Sequence, residues 1–202
     1  MDQVNKLIGR GIAAAMALAI AAPGAAQQYS DSFTFIKAVK DRDAAKVTDV
    51  VSRPGTTIVN SKDRDTGEGA LHILVRGRDY DWVSFLLGKR ANPNLQNSRG
   101  ETPLSLAAQI GWLEGAQLLL GHGAAADLAN SRGETPLIMA VHQRDVAMVR
   151  LLLGNGANPK KTDNAAGYSA IDYARQDSRA QGIVRLLEAA QAPARPAAGP
   201  KL

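Results

Sequence analysis

The eight-residue word Asn-Ser-Arg-Gly-Glu-Thr-Pro-Leu occurs twice in the chain, at Asn97–Leu104 and again 33 residues later at Asn130–Leu137. Other residues follow the same spacing, most clearly the glycines at 67, 100 and 133 and the Leu-Leu pairs at 86–87, 119–120 and 152–153. A unit this short cannot bury its apolar side chains alone and must stack on its neighbours. The period therefore predicts a repeat solenoid, in which function resides on an extended surface.

The unit at 97–129 shows the order of its elements most clearly. Asn-Ser-Arg-Gly is a favourable four-residue turn, with Asn at its first position and Gly at its last. Thr102-Pro103 combines a helix N-cap with the proline favoured at the first helical position, and Gly111 is suited to end that helix. A second helix is predicted from about Leu113 to Leu120, followed by an extended loop.

These residues resemble the ankyrin repeat. The match includes Gly-Glu-Thr-Pro-Leu-Ser-Leu-Ala-Ala at 100–108 and Leu-Leu-Leu-Gly-His-Gly-Ala at 118–124, and the unit at 130–163 matches in the same way. The unit at 64–96 replaces Thr-Pro with Gly69-Ala70 but keeps His72, which in the family bonds to the backbone of the neighbouring turn. The resemblance implies an all-α ankyrin-repeat solenoid of stacked helix-turn-helix units with hairpin-like turns.

The repeat divides the chain into five predicted units. The outer two match less well, as terminal repeats that cap a stack do, and the first carries a few extra residues around Arg53–Asn60. The Pro/Ala/Gly-rich residues 191–202 are predicted to form a disordered or polyproline-like tail. The predicted unit boundaries are 30–63, 64–96, 97–129, 130–163 and 164–190.

The N-terminus has the pattern of an export signal at residues 1–26. Lys6 and Arg10 precede an apolar run, Ile12–Ala22, that is shorter than the roughly 20 residues needed to span a bilayer. A Pro-Gly break and the small residues Gly24-Ala25-Ala26 follow, which predicts cleavage after Ala26 and a periplasmic or secreted protein. An uncleaved anchor and a buried N-terminal helix are the alternatives.

Composition excludes several kinds of site. The chain has no Cys, which rules out disulfides and thiolate chemistry. The formal net charge is +5, of which the predicted signal contributes +1 and the predicted tail +2, so +2 remains on residues 27–190, with no basic stripe. The charge is therefore a poor argument for nucleic-acid binding.

The sequence also lacks the patterns of catalytic and metal sites. Its three histidines form no i, i+4 pair, and neither a Gly-x-Ser-x-Gly elbow nor a phosphate-binding Gly-x4-Gly-Lys-Ser/Thr loop is present. His72 is expected to be structural and His122 to be solvated. The chain is therefore predicted to be non-enzymatic, with no cofactor and no metal.

Surface residues remain as candidates for function. In an ankyrin-like stack the turn tips and the inner helices line a concave groove, so side chains at these positions are available to a partner. The repeated Arg and Glu instead form a solvated ladder if they pair across the stack, and Trp82 and Trp112 are expected to pack between units. The candidate partner-binding residues are Asp65, Glu68, Arg76, Arg99, Glu101, Gln109, Ile110, Arg132, Glu134, His142, Gln143 and Tyr168.

The resulting functional prediction is a monomeric module that binds another protein through its concave groove. Resemblance to bacterial exported ankyrin-repeat proteins implies an envelope partner and a role in stress protection. No nucleic acid and no stable membrane insertion after processing are expected. The alternatives are a secreted effector directed at a host and a polyanion-binding protein.

Overall fold

The computed structural model describes residues 23–53 and 55–191, and the side chains of residues 31–53 and 55–190. These residues form ten α-helices in consecutive pairs, and short 3-10 helices at Ile58–Asn60 and Ser178–Ala180. The α-helices are α1 (Pro23–Asp41), α2 (Ala44–Val51), α3 (Ala70–Arg76), α4 (Tyr80–Gly88), α5 (Pro103–Gln109), α6 (Leu113–Gly121), α7 (Pro136–His142), α8 (Val146–Gly154), α9 (Ala170–Gln176) and α10 (Gln181–Gln191).

The helix pairs stack in two layers. The inner helices α1, α3, α5, α7 and α9 pack against one another in chain order, and the outer helices α4, α6, α8 and α10 do the same. Each inner helix also packs on the outer helix of its own pair. The predicted all-α solenoid of helix-turn-helix units is therefore confirmed.

The inner helices begin where the caps predict. Thr102 Oγ1 accepts a hydrogen bond from Ser105 N at 3.1 Å, and Ser105 Oγ accepts one from Thr102 N at 2.8 Å. This reciprocal pair satisfies two backbone donors at the start of α5, and Pro103 occupies the first helical position, where no N–H is needed. Thr135 caps α7 with one such bond, its Oγ1 accepting from Ile138 N at 3.3 Å.

Repeated leucines form the core between the layers. Leu104 and Leu137 are fully buried at equivalent places in α5 and α7, and Leu86, Leu119 and Leu152 are fully buried in α4, α6 and α8. Aliphatic side chains on both layers therefore bury the apolar surface that no unit covers alone.

Arginines at the turns between inner and outer helices form hydrogen bonds between adjacent units. Arg42 donates to Asp79 at 2.9 Å, Arg78 donates to the carbonyl oxygen of Ile110, and Arg144 donates to Asp177. All three arginines have positive φ, and the residue at the equivalent place in the third unit is Gly111. Each bond joins one unit to the next.

The ends of the chain differ from the predicted boundaries. The described residues of α1 start at Pro23, before the predicted unit start at 30, and the predicted cleavage point after Ala26 lies within the helix. Residues 1–22 of the predicted signal and residues 192–202 of the predicted tail lie outside the described residues. The turns of the second and last units begin at Asp63 and Asp163, one residue before the predicted boundaries.

Candidate functional site

The tips of the repeated turns are built around an asparagine side chain. Asn97 Oδ1 accepts hydrogen bonds from the backbone N–H groups of Arg99 and Glu101 at 2.9 and 3.0 Å. The backbone closes the same turn, because Asn97 N donates to Glu101 O and Gly100 N donates to Asn97 O, both at 3.0 Å. The turn at 130–134 repeats every one of these bonds around Asn130. A short polar side chain that satisfies backbone donors two and four residues on explains Asn at this position.

Consecutive turns touch through their backbones. Ser98 N donates to Thr66 O at 3.1 Å, Ser131 N to Arg99 O at 3.0 Å, and Asn164 N to Arg132 O at 2.8 Å. The backbones approach so closely that a Cβ on Gly100 would lie 2.7 Å from Ser131 N. The turn tips therefore form one continuous edge along the solenoid, in fixed register.

The charged residues of the turns pair within a turn, which corrects the expectation of pairing across the stack. Arg99 donates from Nε at 3.0 Å and from Nη2 at 2.8 Å to Glu101 Oε2, which also accepts from Asn97 Nδ2 at 2.8 Å. Arg132 and Glu134 form the same arrangement at 3.0 and 2.6 Å. In each repeated Arg-Gly-Glu sequence, the arginine thus pairs with the glutamate of the same turn.

The glutamates of these pairs are less accessible than predicted. The Arg99 side chain is 64% exposed but that of Glu101 only 6%, so Glu101 is a buried residue of the turn and not a free surface charge. Burial alone would raise the pKa of Glu101, but hydrogen bonds from Arg99 and Asn97 outweigh it and hold the pKa below its ordinary value. The same causes lower the pKa of the half-buried Glu134. Arg99 and Arg132 are the side chains that a partner can reach.

The second unit has a different pairing. Asp63 takes the place of the asparagine, with Oδ1 accepting from Asp65 N at 3.0 Å and Thr66 N at 3.1 Å. Glu68 is half-buried and pairs with Arg76 at the end of α3. Of these candidates, Asp65 and Arg76 are exposed.

His72 joins the second unit to the third, as predicted. Its Nδ1 accepts a hydrogen bond from Gly69 N at 3.1 Å, so the ring proton is on Nε2, which lies 2.9 Å from Glu101 O. The residue is fully buried, and this burial lowers the pKa of His72. The neutral imidazole is therefore the form that the fold requires.

This geometry predicts that the protein loses stability as the pH falls. A histidine with a lowered pKa in the folded state stabilises the fold fully above its unfolded value of about 6.5, and that contribution is lost as the pH falls from there through the folded pKa. Urea unfolding at pH 7.5 and 5.5 is expected to show a loss in the wild type and a smaller one in His72→Ser, which carries the residue found at the equivalent Ser105. His122→Ala, at an exposed loop, is the control that keeps the wild-type difference. An equal pH effect in His72→Ser would contradict this role.

Three aromatic rings meet in the last two units of the solenoid. Tyr173 on α9 lies 4.5 Å from the ring of His142 on α7 and 5.5 Å from that of Tyr168, measured between ring centroids. Tyr173 also donates its hydroxyl hydrogen to Asp163 Oδ2, which raises the pKa of Tyr173 to about 12. His142, Tyr168 and Tyr173 are called the aromatic cluster below.

The remaining candidates are spread along the ends of the inner helices. Gln109 and Gln143 are exposed, whereas Ile110 is half-buried and accepts the bond from Arg78. Trp112 is buried at the start of α6, and the half-buried Trp82 packs edge-on against Phe85. Apart from the buried Glu101, the predicted residues are thus spread along the surface of the turns and inner-helix ends, and they line no enclosed site.

Sequence reasoning missed Asp163 and Tyr173. Asp163 lies 33 residues after Asn130 and plays the same part, since its Oδ1 accepts from three backbone N–H groups of the last turn. That spacing was the available signal for Asp163. No sequence signal pointed to Tyr173, because its contacts come from two different units and no repeated spacing reveals them.

Among the described residues, no group of three or more His, Asp or Glu side chains is placed to hold a metal ion. In the same part of the chain, no helix has both the length and the apolarity needed to cross a membrane.

The fold and this continuous surface define a helical repeat protein. A family model described as ankyrin repeats (3 copies) matches residues 71–163 and 117–192, which together cover more than half of the 202 residues. The chain belongs to the ankyrin-repeat family, whose repeats serve as protein–protein interaction modules. Helices α1 and α2 precede the matched ranges and join the stack through the packing of α1 on α3.

Proposed function

We propose that this chain is an exported ankyrin-repeat protein that binds a protein of the cell envelope through its concave face. The observation that carries the proposal is the edge of stacked turns, which presents Arg99 and Arg132 at equal positions of consecutive units. Their side chains are 64% and 66% exposed. A guanidinium group can bind a carboxylate through two hydrogen bonds, so a partner with acidic groups at the same spacing suits this edge.

The bound glutamates limit the strength of that attraction. Glu101 and Glu134 each occupy two donors of their arginine, Nε and Nη2, so the edge has little net charge. Affinity is then expected to come from shape and from the aromatic cluster as well as from charge, and to be only modestly sensitive to salt. Export rests on the sequence pattern of residues 1–26, and stress protection of the partner rests on resemblance alone.

The proposal predicts which variants lose the partner. In a cell that expresses the protein, crosslinking in the periplasm and mass spectrometry are expected to capture one envelope protein together with a chain that starts at Gln27. The buried Glu101 would be left without its arginine in Arg99→Ala, so the test uses Arg132→Ala and the paired change Arg99→Gln with Glu101→Gln. Both variants are expected to reduce capture several-fold, because each should lose about 1 kcal/mol or more of binding free energy.

The matched control is His122→Ala, because His122 lies in an exposed loop after the outer helix α6. It is expected to capture the partner as well as the wild type does. Undiminished capture by both arginine variants would contradict binding through the turns, and an intact Met1 in the cytosol would contradict export.

A further inference from the structure

The outer layer of helices opens between the first and second units. Helices α4, α6, α8 and α10 pack on one another in turn, but within the described part of the chain α2 packs mainly on α1 and makes no comparable contact with α4. A cleft of about 260 Å³ lies between α2 and α4, lined by Ala44, Thr48, Asp81, Trp82 and Phe85. This volume is below the roughly 300–1,000 Å³ of sites for drug-sized ligands, so the cleft suits a small ligand.

Short side chains on α2 leave two aromatic rings of α4 uncovered. Trp82 occupies the repeat position of Met148, which is fully buried in α8, but Trp82 is only half-buried. Phe85 is half-buried as well, and its ring centroid lies 6.1 Å from that of Trp82 in an edge-to-face arrangement. The side chains that face them across the cleft are Ala44 and Thr48. The aromatic pair therefore presents surface to the cleft.

The cleft adds a carboxylate to these rings. Asp81 is exposed, and within the described part of the chain its side chain forms no ion pair or hydrogen bond. The neighbouring Asp79 is paired with Arg42 at 2.9 Å. Aromatic faces attract cations, and Lys89 Nζ lies 5.7 Å from the centroid of the Phe85 ring. Both the carboxylate and the rings therefore favour a positively charged ligand.

The lining also selects among cations. Of its five residues, only Asp81 and Thr48 have polar side chains. A primary ammonium group has three N–H donors, which lose hydrogen bonds to water on entering such a cleft and find few acceptors there. A quaternary ammonium group has no N–H donor and presents methyl groups to the aromatic rings while it keeps its charge.

We propose that the cleft between α2 and α4 binds a small quaternary ammonium ion, with its charge between the ring of Trp82 and the carboxylate of Asp81. The site lies on the outer helices, whereas the function proposed above uses the turn tips. The two proposals are therefore independent of each other.

The test is an NMR titration of the full-length chain with choline chloride at constant ionic strength, followed by the indole N–H signals of the two tryptophans. The Trp82 signal is expected to shift with a dissociation constant of about 1 mM, and the signal of the buried Trp112 is expected to stay in place. The uncharged analogue of choline, in which a carbon atom replaces the nitrogen, is expected to bind at least about tenfold more weakly.

Three variants locate the site. Asp81→Asn changes one exposed charge and is expected to weaken choline binding about fivefold. Trp82→Leu, followed by the ring signals of Phe85, is expected to weaken it more than about tenfold. Glu114→Gln is the matched control, because Glu114 has the repeat position of Asp81 in α6, where Gly115 replaces the tryptophan. It should leave choline binding unchanged.

Other results would overturn the proposal. A Trp82 signal that does not move means that the cleft is not a site for this ion, and equal affinity for the uncharged analogue means that it is merely an apolar cleft. Unchanged affinity in Asp81→Asn or in Trp82→Leu means that choline binds elsewhere. Larger shifts with phosphatidylcholine vesicles than with free choline, at equal headgroup concentration, assign the cleft to a membrane surface instead. None of these results bears on capture of a partner by the turn tips, so failure here leaves the proposed function to its own experiment.

Discussion

Leu137→Ala is expected to lower the free energy of unfolding by about 2–5 kcal/mol, and Leu104→Ala by a similar amount. Both leucines are fully buried at the same place in consecutive inner helices, between the layers of the stack. Truncation removes apolar contacts and leaves a cavity that the neighbouring helices cannot close without moving. Urea unfolding followed by circular dichroism measures both losses.

Pro103→Ala is the control for the register of the repeat. Pro103 directly precedes Leu104 at the first position of α5, where its fixed φ favours the helix start. Its loss is expected to cost about 1 kcal/mol or less. Equal losses in Pro103→Ala and Leu104→Ala would contradict the assignment of the leucine to the core.

Features set by spacing within one unit were predictable from the sequence. Thr102-Pro103 predicted the start of α5, and the repeated leucines predicted the buried positions. Thr102 and Pro103 permit few roles, because a cap and a helix-starting proline have specific requirements for hydrogen bonding. The resemblance to ankyrin repeats implied that His72 bonds to a neighbouring turn, and its contact with Glu101 O confirms this.

The pairing of the charged side chains in the turns was not predictable from the sequence. The words containing Arg99 and Arg132 are identical, but the words alone do not show that each arginine turns back onto the glutamate two residues on. That choice follows from Asn97 and Asn130, which fold the turn so that Glu101 and Glu134 accept from both side chains.

The ends of the stack were the least predictable part. Pro23 and Gly24 looked like a break after an apolar run, but both lie in α1 as the structure describes it. In the last turn, Asp163 N donates to Tyr168 O, one residue further than the equivalent bond from Asn130 to Glu134. This longer turn brings Tyr168 to the aromatic cluster, which a period of 33 residues does not reveal.

Gly100→Ala is expected to cost about 2–4 kcal/mol of unfolding free energy, and Gly111→Ala only about 1 kcal/mol. Both glycines have positive φ, +73° and +62°, so both substitutions carry a similar backbone strain. Their surroundings differ. A Cβ at Gly100 would lie 2.7 Å from Ser131 N, which donates to Arg99 O, whereas a Cβ at Gly111 would have Asp145 Oδ2 at an ordinary 3.5 Å.

The difference between the two variants therefore measures the close approach of consecutive turns, free of the cost of the backbone conformation. Gly133→Ala repeats the test one unit on, because its Cβ would lie 2.7 Å from Asn164 N, and it should match Gly100→Ala. Urea unfolding of the three variants under one condition gives the comparison. If all three lose the same amount, the turn tips adjust to a side chain at little cost. The fixed spacing of Arg99 and Arg132 would then not follow from the stacked edge.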